Sequence, residues 1–280
     1  MLTVVFLLAV GTASLTNAFL FGQNKWNGLE VTFGVNPFDS NVFASLPRTE
    51  SDASSDGWTK IGDCDTSSKF RGRRYVKDND YAVILLFDVN GYIAGIQCGA
   101  AKSELPSDYP PATLRSIFQD DGDHMTLTAY FTDPNVICAS GRSASQFSTE
   151  GTGSVLLIQN GSDPVRDSLR IPNEQSGADN PASGWTLGHC FPAMGVHYWY
   201  SITADMSCDY FFPVFVLYNE KKLTAFGWAI GAGLDSKRFE HPPHASVSAF
   251  MNPVPKCLDG YSQLSTMHIY MTAHPTQDLC

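Results

Sequence analysis

The strongest constraint on this chain is that a series of landmarks occurs twice, in one order. Gly57-Trp58-Thr59 with Cys64 returns as Gly184-Trp185-Thr186 with Cys190, and Gly72-Arg73-Arg74-Tyr75 as Gly195-Val196-His197-Tyr198. The apolar run Tyr81 to Asp88 matches Phe212 to Asn219, and Tyr92-Ile93-Ala94-Gly95-Ile96 matches Leu223-Thr224-Ala225-Phe226-Gly227. Tyr109-Pro110-Pro111 matches His241-Pro242-Pro243, and the run from Leu127 to Cys138 matches that from Met267 to Cys280. Such ordered self-similarity predicts two related units built on one supersecondary plan. They span residues 57–138 and 184–280, preceded by a segment at 19–56 and joined by a linker at 139–183.

The repeat orders the seven cysteines. Cys64 and Cys138 bracket the first unit as Cys190 and Cys280 bracket the second, so two equivalent bridges are expected. Cys208 and Cys257 occur only in the second unit and are expected to pair with each other. Cys98 aligns with Trp228 and is expected to be a buried free thiol. No C-x-x-C pair or zinc-finger spacing is present, so the set reads as an oxidised framework.

Short apolar or alternating runs at 29–33, 83–87, 92–97, 126–131, 155–159, 198–202, 214–218, 223–229 and 266–272 predict strands. Residues 88–91 and 219–222 read as hairpin turns. Helices are expected at 112–118, behind the Pro pair, and at 39–44. Residues 139–183 are rich in Ser, Gly, Asn and Asp and read as a linker with one strand. The expected fold is α+β, mainly β, with two tandem units packed as one compact disulfide-bonded body.

The first 18 residues, an apolar run from Leu2 to Val10 followed by small and polar residues to Ala18, read as a secretory signal. The run is too short to span a bilayer, which takes roughly 18 apolar residues, so no membrane insertion is expected. A net charge of −10 argues against nucleic-acid partners. The sequon Asn160-Gly161-Ser162 marks a glycosylation acceptor in an exported protein. A secreted, extracellular location follows as an expectation.

No nucleophile elbow, H-E-x-x-H helix, Walker loop or EF-hand loop occurs. Gly151-Thr152-Gly153 precedes a strand, so it is no dinucleotide fingerprint, and Asp120-Asp121-Gly122-Asp123 lacks a terminal bidentate acid and reads as a solvated turn. The basic cluster from Lys69 to Lys77 reads as a surface face with acidic partners. Histidine is the informative residue, because six of the seven (189, 197, 241, 244, 268, 274) lie in the second unit. The repeat sets Arg74 opposite His197 and Thr128 opposite His268, so the scaffold does not need imidazole there. Alternation places His268 and Tyr270 on one strand face and Met267, Ile269 and Met271 on the other. His197 shares a face with Trp199. Convergence of His197, His268, His241 and His244 would suit zinc or copper. Structural histidines are the competing reading.

The segment Cys190-Phe191-Pro192-Ala193-Met194-Gly195-Val196-His197-Tyr198-Trp199-Tyr200 resembles a family of secreted animal proteins of uncharacterised function. The resemblance extends to Val31 to Phe38, Phe87 to Gly95, Phe226-Gly227-Trp228 and Glu240-His241-Pro242-Pro243. The Met-Gly-x-His-Tyr piece alone is also similar to small bacterial and fungal proteins of unknown role. The resemblance implies a secreted, self-contained module and draws attention to His197.

The functional expectation is binding of a small ligand or metal ion at the second unit, with Tyr198, Trp199 and Trp228 as walls and His197, His241 and His268 as polar anchors. A zinc- or copper-dependent hydrolase or oxygenase, with Tyr198 or Glu240 handling protons, is the enzymatic alternative. A structural matrix or mucus component, self-associating through the unpaired cysteine, is the third.

Overall fold

The computed structural model describes residues 26–36 and 38–280. The expected signal segment at 1–18 lies outside them. In chain order the strands are β1 (Glu30–Val31), β2 (Ala44–Ser45), β3 (Trp58–Gly62), β4 (Arg73–Lys77), β5 (Asp80–Phe87), β6 (Ile93–Ala101), β7 (Gln119–Asp121) and β8 (His124–Tyr130). They continue as β9 (Leu156–Gln159), β10 (Ser168–Ile171), β11 (Trp185–Phe191), β12 (Gly195–Tyr200), β13 (Val214–Asn219), β14 (Lys222–Ile230) and β15 (Ser265–Tyr270). Helices are short, so the fold is mainly β, as expected.

Two antiparallel sheets result. The first has the order β10-β9-β8-β6-β5-β4-β3, with β7 also paired to β8, and the second has β11-β12-β13-β14-β15-β1-β2. Each contains a five-strand meander extended by two further strands at one end. In the first sheet those strands follow the meander in the chain; in the second they come from near the N-terminus. The expected hairpins over 88–91 and 219–222 join β5 to β6 and β13 to β14.

Alternation decides which residues meet between the sheets. Leu85, Phe87, Ile96, Cys98, Leu127, Ala129 and Phe131 belong to the same buried cluster as Val214, Val216, Tyr218, Phe226, Trp228, Met267 and Ile269. The rings of Phe131 and Phe226 meet at 6.2 Å. The outward residues of the second sheet, Trp199, Phe215, Leu217, Ala225, Ala229 and Tyr270, form a second cluster with Val247, Met251, Leu258 and Leu264 from the covering chain. The second sheet is therefore buried on both faces. On the outer face of the first sheet, Arg74 Nε donates to Gln97 Oε1 at 2.8 Å and Gln97 Nε2 to Thr128 Oγ1 at 2.9 Å.

The three disulfides are Cys64–Cys138, Cys190–Cys280 and Cys208–Cys257, the pairings expected from the repeated cysteine positions. Cys98 is free and buried, and burial pushes its thiol well above the ordinary range. It is thereby removed from the intermolecular bridging that a disulfide-linked matrix would use. The basic cluster is paired locally: Arg73 with Glu50 at 2.6 Å, Lys77 with Asp56 at 2.8 Å, and Arg74 with Asp121. Asn160 is exposed at the end of β9, where it accepts a hydrogen bond from Ser116 Oγ at 2.7 Å.

Several local expectations are corrected. Residues 139–183 contain two strands, β9 and β10, which complete the first sheet by pairing with β8 and with each other. The first answers the strand expected at 155–159, and polar turn-rich surroundings concealed the second. The same stretch holds a helix at Ala144–Glu150 whose start is fixed by a Ser143–Gln146 capping box. Of the helix expected over 112–118, only a 3-10 turn at Ala112–Leu114 forms. Of the helix expected over 39–44, residues 39–43 form bends and turns instead, and Ala44 already belongs to β2. No helix among the described residues is long and apolar enough to cross a membrane.

Candidate functional site

The outer face of the second sheet carries a pocket of about 320 Å³. Its position follows from strand phase. On β12, Val196, Tyr198 and Tyr200 turn towards the space between the sheets, which leaves His197 and Trp199 outward. On β15 the same alternation turns Met267 and Ile269 inward and His268 and Tyr270 outward. Register then sets Trp199, Phe215, Gly227 and His268 in one row across β12, β13, β14 and β15. Glycine is required in that row. A Cβ at Gly227 would lie 2.1 Å from Phe215 Cζ and 2.5 Å from the Met267 carbonyl oxygen. The Phe215 ring therefore lies down over β14 and reaches His268, with ring centres 4.9 Å apart.

His197 is fully buried between aromatic faces, stacked on Phe215 at 5.8 Å and Phe250 at 5.5 Å. Its Nδ1 lies 3.1 Å from the His189 carbonyl oxygen. The β11–β12 register shifts between Leu187 and Cys190, and that irregularity presents the carbonyl to the ring. A carbonyl can only accept, so Nδ1 carries the proton and Nε2 keeps its lone pair. That Nε2 is buried and has no hydrogen-bond partner. Burial, reinforced by the neighbouring His268, pulls the His197 pKa down to about 3.

His268 is held differently. Glu240 meets Thr266 in a short antiparallel bridge that places its carboxylate under the β15 imidazole. Glu240 Oε1 accepts from the Phe33 N–H at 2.6 Å and the His268 N–H at 3.1 Å. Its Oε2 accepts from Thr266 Oγ1 and His268 Nδ1, both at 2.8 Å. Burial alone would raise the Glu240 pKa, but His268 and these donors outweigh it and hold the carboxyl below its ordinary range. His268 Nε2 is again buried and unpartnered. The two imidazole centres are 6.0 Å apart.

Around this polar floor the pocket walls are Phe33, Phe191, Met194, Trp199, Phe215 and Phe250, with Pro242 and Pro243 at one side. Tyr270 stacks on the far side of His268 at 6.0 Å, its buried hydroxyl also unpartnered and its phenol pushed well up by burial.

The structure brings together His197, His268, Trp199 and Glu240, leaves His241 at the pocket border, and places the other expected site residues elsewhere. Tyr198 and Trp228 do not line the pocket, because their strand phase turns them into the cluster between the sheets. The Tyr198 hydroxyl is bonded there to Gln175 and Asp179. His241 borders the pocket but its Nε2 is engaged by the Leu234 carbonyl at 3.1 Å. The His244 side chain is 43% exposed and faces Asp259 at 3.8 Å. The four histidines expected as a metal set therefore do not converge. Among the described residues, no group of three or more His, Cys, Asp and Glu side chains is placed to hold a metal ion. Phe33, Phe191, Met194, Phe215 and Phe250 were not anticipated from sequence as pocket walls, since only pairing register and the covering loop reveal them.

No family model matches the chain, and no curated protein or solved structure does. The reading of the site therefore rests on its geometry.

The buried neutral His197 has a measurable consequence. Its folded pKa lies below the ordinary 6.5, so the unfolded chain takes up a proton there first as pH falls. This group adds nothing above about pH 7. Stability then declines by roughly 1.4 kcal/mol per pH unit as pH drops from 6.5 towards 3. In chelator-treated protein, urea unfolding between pH 7 and 5 should show a shallower acid decline for His197→Phe than for wild type. Glu30, pushed up to about 7 by burial, is present in both proteins, as are His189 and His268. Parallel pH profiles for the two proteins would refute the buried neutral imidazole.

Proposed function

We propose that this is an extracellular, disulfide-braced protein that binds a small apolar molecule bearing one polar group, in the pocket on the outer face of the second sheet. The observation that carries the reading is an aromatic-walled cavity of about 320 Å³ with two unpartnered imidazole nitrogens at its floor. Ligand sites typically combine an apolar lining with a few convergent polar groups in about this volume or more. A buried lone pair without a partner is costly, so a ligand that reaches either nitrogen gains a hydrogen bond which water-filled bulk does not already satisfy.

Two further considerations support it. The five-strand meanders β3-β4-β5-β6-β8 and β11–β15 share an order, and we read them as duplicated units of which the second specialised. Arg74, Gln97 and Thr128 form a closed polar network on the first outer face. His197, Gly227 and His268 stand at the corresponding strands of the second and leave an opening. The three disulfides favour an oxidising compartment, in keeping with the export-like first 18 residues, the exposed Asn160 sequon and the resemblance to secreted animal proteins.

Calorimetric titration with 4-ethylphenol and 1-octanol tests the proposal. A dissociation constant of about 10–100 µM is expected for compounds of this size. Ala249 borders the pocket on its exposed side, so Ala249→Trp should fill the cavity without disturbing the sheet and abolish binding. Undiminished binding in that variant, or none in the wild type, would remove this function.

A further inference from the structure

The two imidazoles are arranged as ligands usually are around a metal. Metal-binding histidines characteristically donate their second ring N–H to a backbone carbonyl or a carboxylate, which fixes the tautomer and aims the ligating nitrogen. His197 has the first kind of partner, the His189 carbonyl, and His268 the second, Glu240 Oε2. These anchors lie on opposite flanks. His189 belongs to β11, outside β12, whereas Glu240 sits on the β1 side of β15, bonded to Phe33. The two nitrogens of an imidazole lie on nearly opposite sides of its ring. With each Nδ1 drawn outward to its flank, each Nε2 turns inward towards the other. Both Nε2 atoms are correspondingly buried and unpartnered.

We propose that His197 and His268 bind one monovalent copper ion between their Nε2 atoms, at the floor of the pocket. The spacing agrees. Two metal–nitrogen bonds of about 2 Å, with about 1 Å from each nitrogen to its ring centre, sum to about 6 Å. The observed separation of ring centres is 6.0 Å. The small number of donors selects the metal. Structural zinc sites take four protein ligands and catalytic ones three, and among the described residues no third His, Cys, Asp or Glu joins this pair. Monovalent copper, a closed-shell soft ion, is satisfied by two or three donors. Among the described residues that line the pocket, Met194 is the other soft donor, and its thioether suits that ion. Glu240, bonded to His268, supplies one negative charge against the ion's single positive one. The apolar walls formed by Trp199, Phe215 and Phe250 disfavour a more highly charged metal.

This inference deepens the proposed ligand site, resting on that reading only in giving the ion an open side that faces the bound molecule. The test is an anaerobic titration of metal-free, intact-disulfide protein with copper(I), kept reduced by ascorbate, in competition with bicinchoninate. One equivalent is expected to bind. His197→Ala and His268→Ala should each weaken binding by at least 100-fold, and Glu240→Gln by about 10–100-fold through loss of ring orientation. His241→Ala and His244→Ala should bind as the wild type does. X-ray absorption of the loaded protein should show two nitrogen donors in a near-linear arrangement. No stoichiometric uptake would overturn the proposal, as would uptake that survives in the His197→Ala/His268→Ala double variant or a preference for zinc. Titration of the same metal-free samples with 4-ethylphenol reports on the pocket separately. Phenol binding without copper uptake would sink the copper site alone, and copper uptake without phenol binding would sink the ligand reading alone.

Discussion

Glu240→Ala is expected to lower the stability of the folded protein by about 3–5 kcal/mol, the largest loss of any single substitution at the site. The carboxylate accepts four hydrogen bonds, from the backbone N–H groups of Phe33 and His268, from Thr266 Oγ1 and from His268 Nδ1. Alanine leaves these donors facing an apolar-walled cavity, and each buried donor without an acceptor costs about 1–3 kcal/mol. The loss also has a direction. Phe33 follows β1, so Glu240 fastens the chain after β1 to β15 as well as orienting His268. Urea unfolding at pH 7 should therefore show a much lower midpoint, and hydrogen exchange in the variant should speed up first around residues 30–45. Glu240→Gln keeps an acceptor oxygen but presents an amide where two N–H groups and a hydroxyl converge, so it should fall between wild type and alanine. A midpoint within experimental error of wild type for the alanine variant would show that the carboxylate network contributes nothing net. The sign with pH follows from the depressed pKa. The Glu240 contribution is present above the unfolded value near 4.5 and is lost as pH falls through the lower folded value.

Replacing Cys208 and Cys257 together by serine should cost about 4 kcal/mol on the chain-entropy model, for a bridge whose cysteines are 49 residues apart. The effect on the pocket should be larger than the effect on the rest of the fold. This bridge pins the covering segment that supplies Val247, Met251 and Leu258 to the outer cluster and Phe250 to the pocket wall. Trp199 Nε1 donates to the Phe250 carbonyl at 3.3 Å, so loosening the cover frees the indole as well. The double variant should lose most of its affinity for 4-ethylphenol at a temperature where circular dichroism still reports an intact sandwich. Loss of the cover and the sandwich in one transition, or unchanged phenol binding, would contradict this division.

Much of this arrangement could be read from the residues. The repeated positions of Cys64, Cys138, Cys190 and Cys280 indicated their pairing, and alternation along β15 separated His268 and Tyr270 from Met267 and Ile269. What alternation could not decide was which face looks outward. In most antiparallel sheets polarity marks the solvent side, but the second sheet is covered on both faces, so Tyr198 and Trp228 were as plausible for the pocket as Trp199. Pairing order supplied the missing information, because Phe215 enters the site only through its place opposite Trp199 and Gly227. Residues 139–183 were misleading for a different reason. The apolar run at 155–159 was legible as one strand, but Ser168 to Ile171 is too short to stand out against polar neighbours, although Ser143 and Gln146 carried a helix-start signal. Glu240 was visible only as an acid beside a histidine and two prolines. Its importance comes from a bridge to Thr266, 26 residues further along the chain.

The placement of β1 beside β15 has a consequence for how the molecule is made. Glu30 pairs with Tyr270 and Val31 with Ile269, so β1, with β2 beside it, cannot join the rest of its sheet until β15 has emerged from the ribosome. The first sheet needs no such wait, since β3 to β10 are contiguous. Synthesis from one end should thus yield a finished first sheet while β1 and β2 remain without their eventual neighbour. Pairings of such long sequence separation close slowly. Phe33, which completes both the pocket wall and the Glu240 network, arrives with them. The pocket can therefore close only after β15 has been made, and a chain truncated before β15 would possess the first sheet but not the pocket floor supplied by His268.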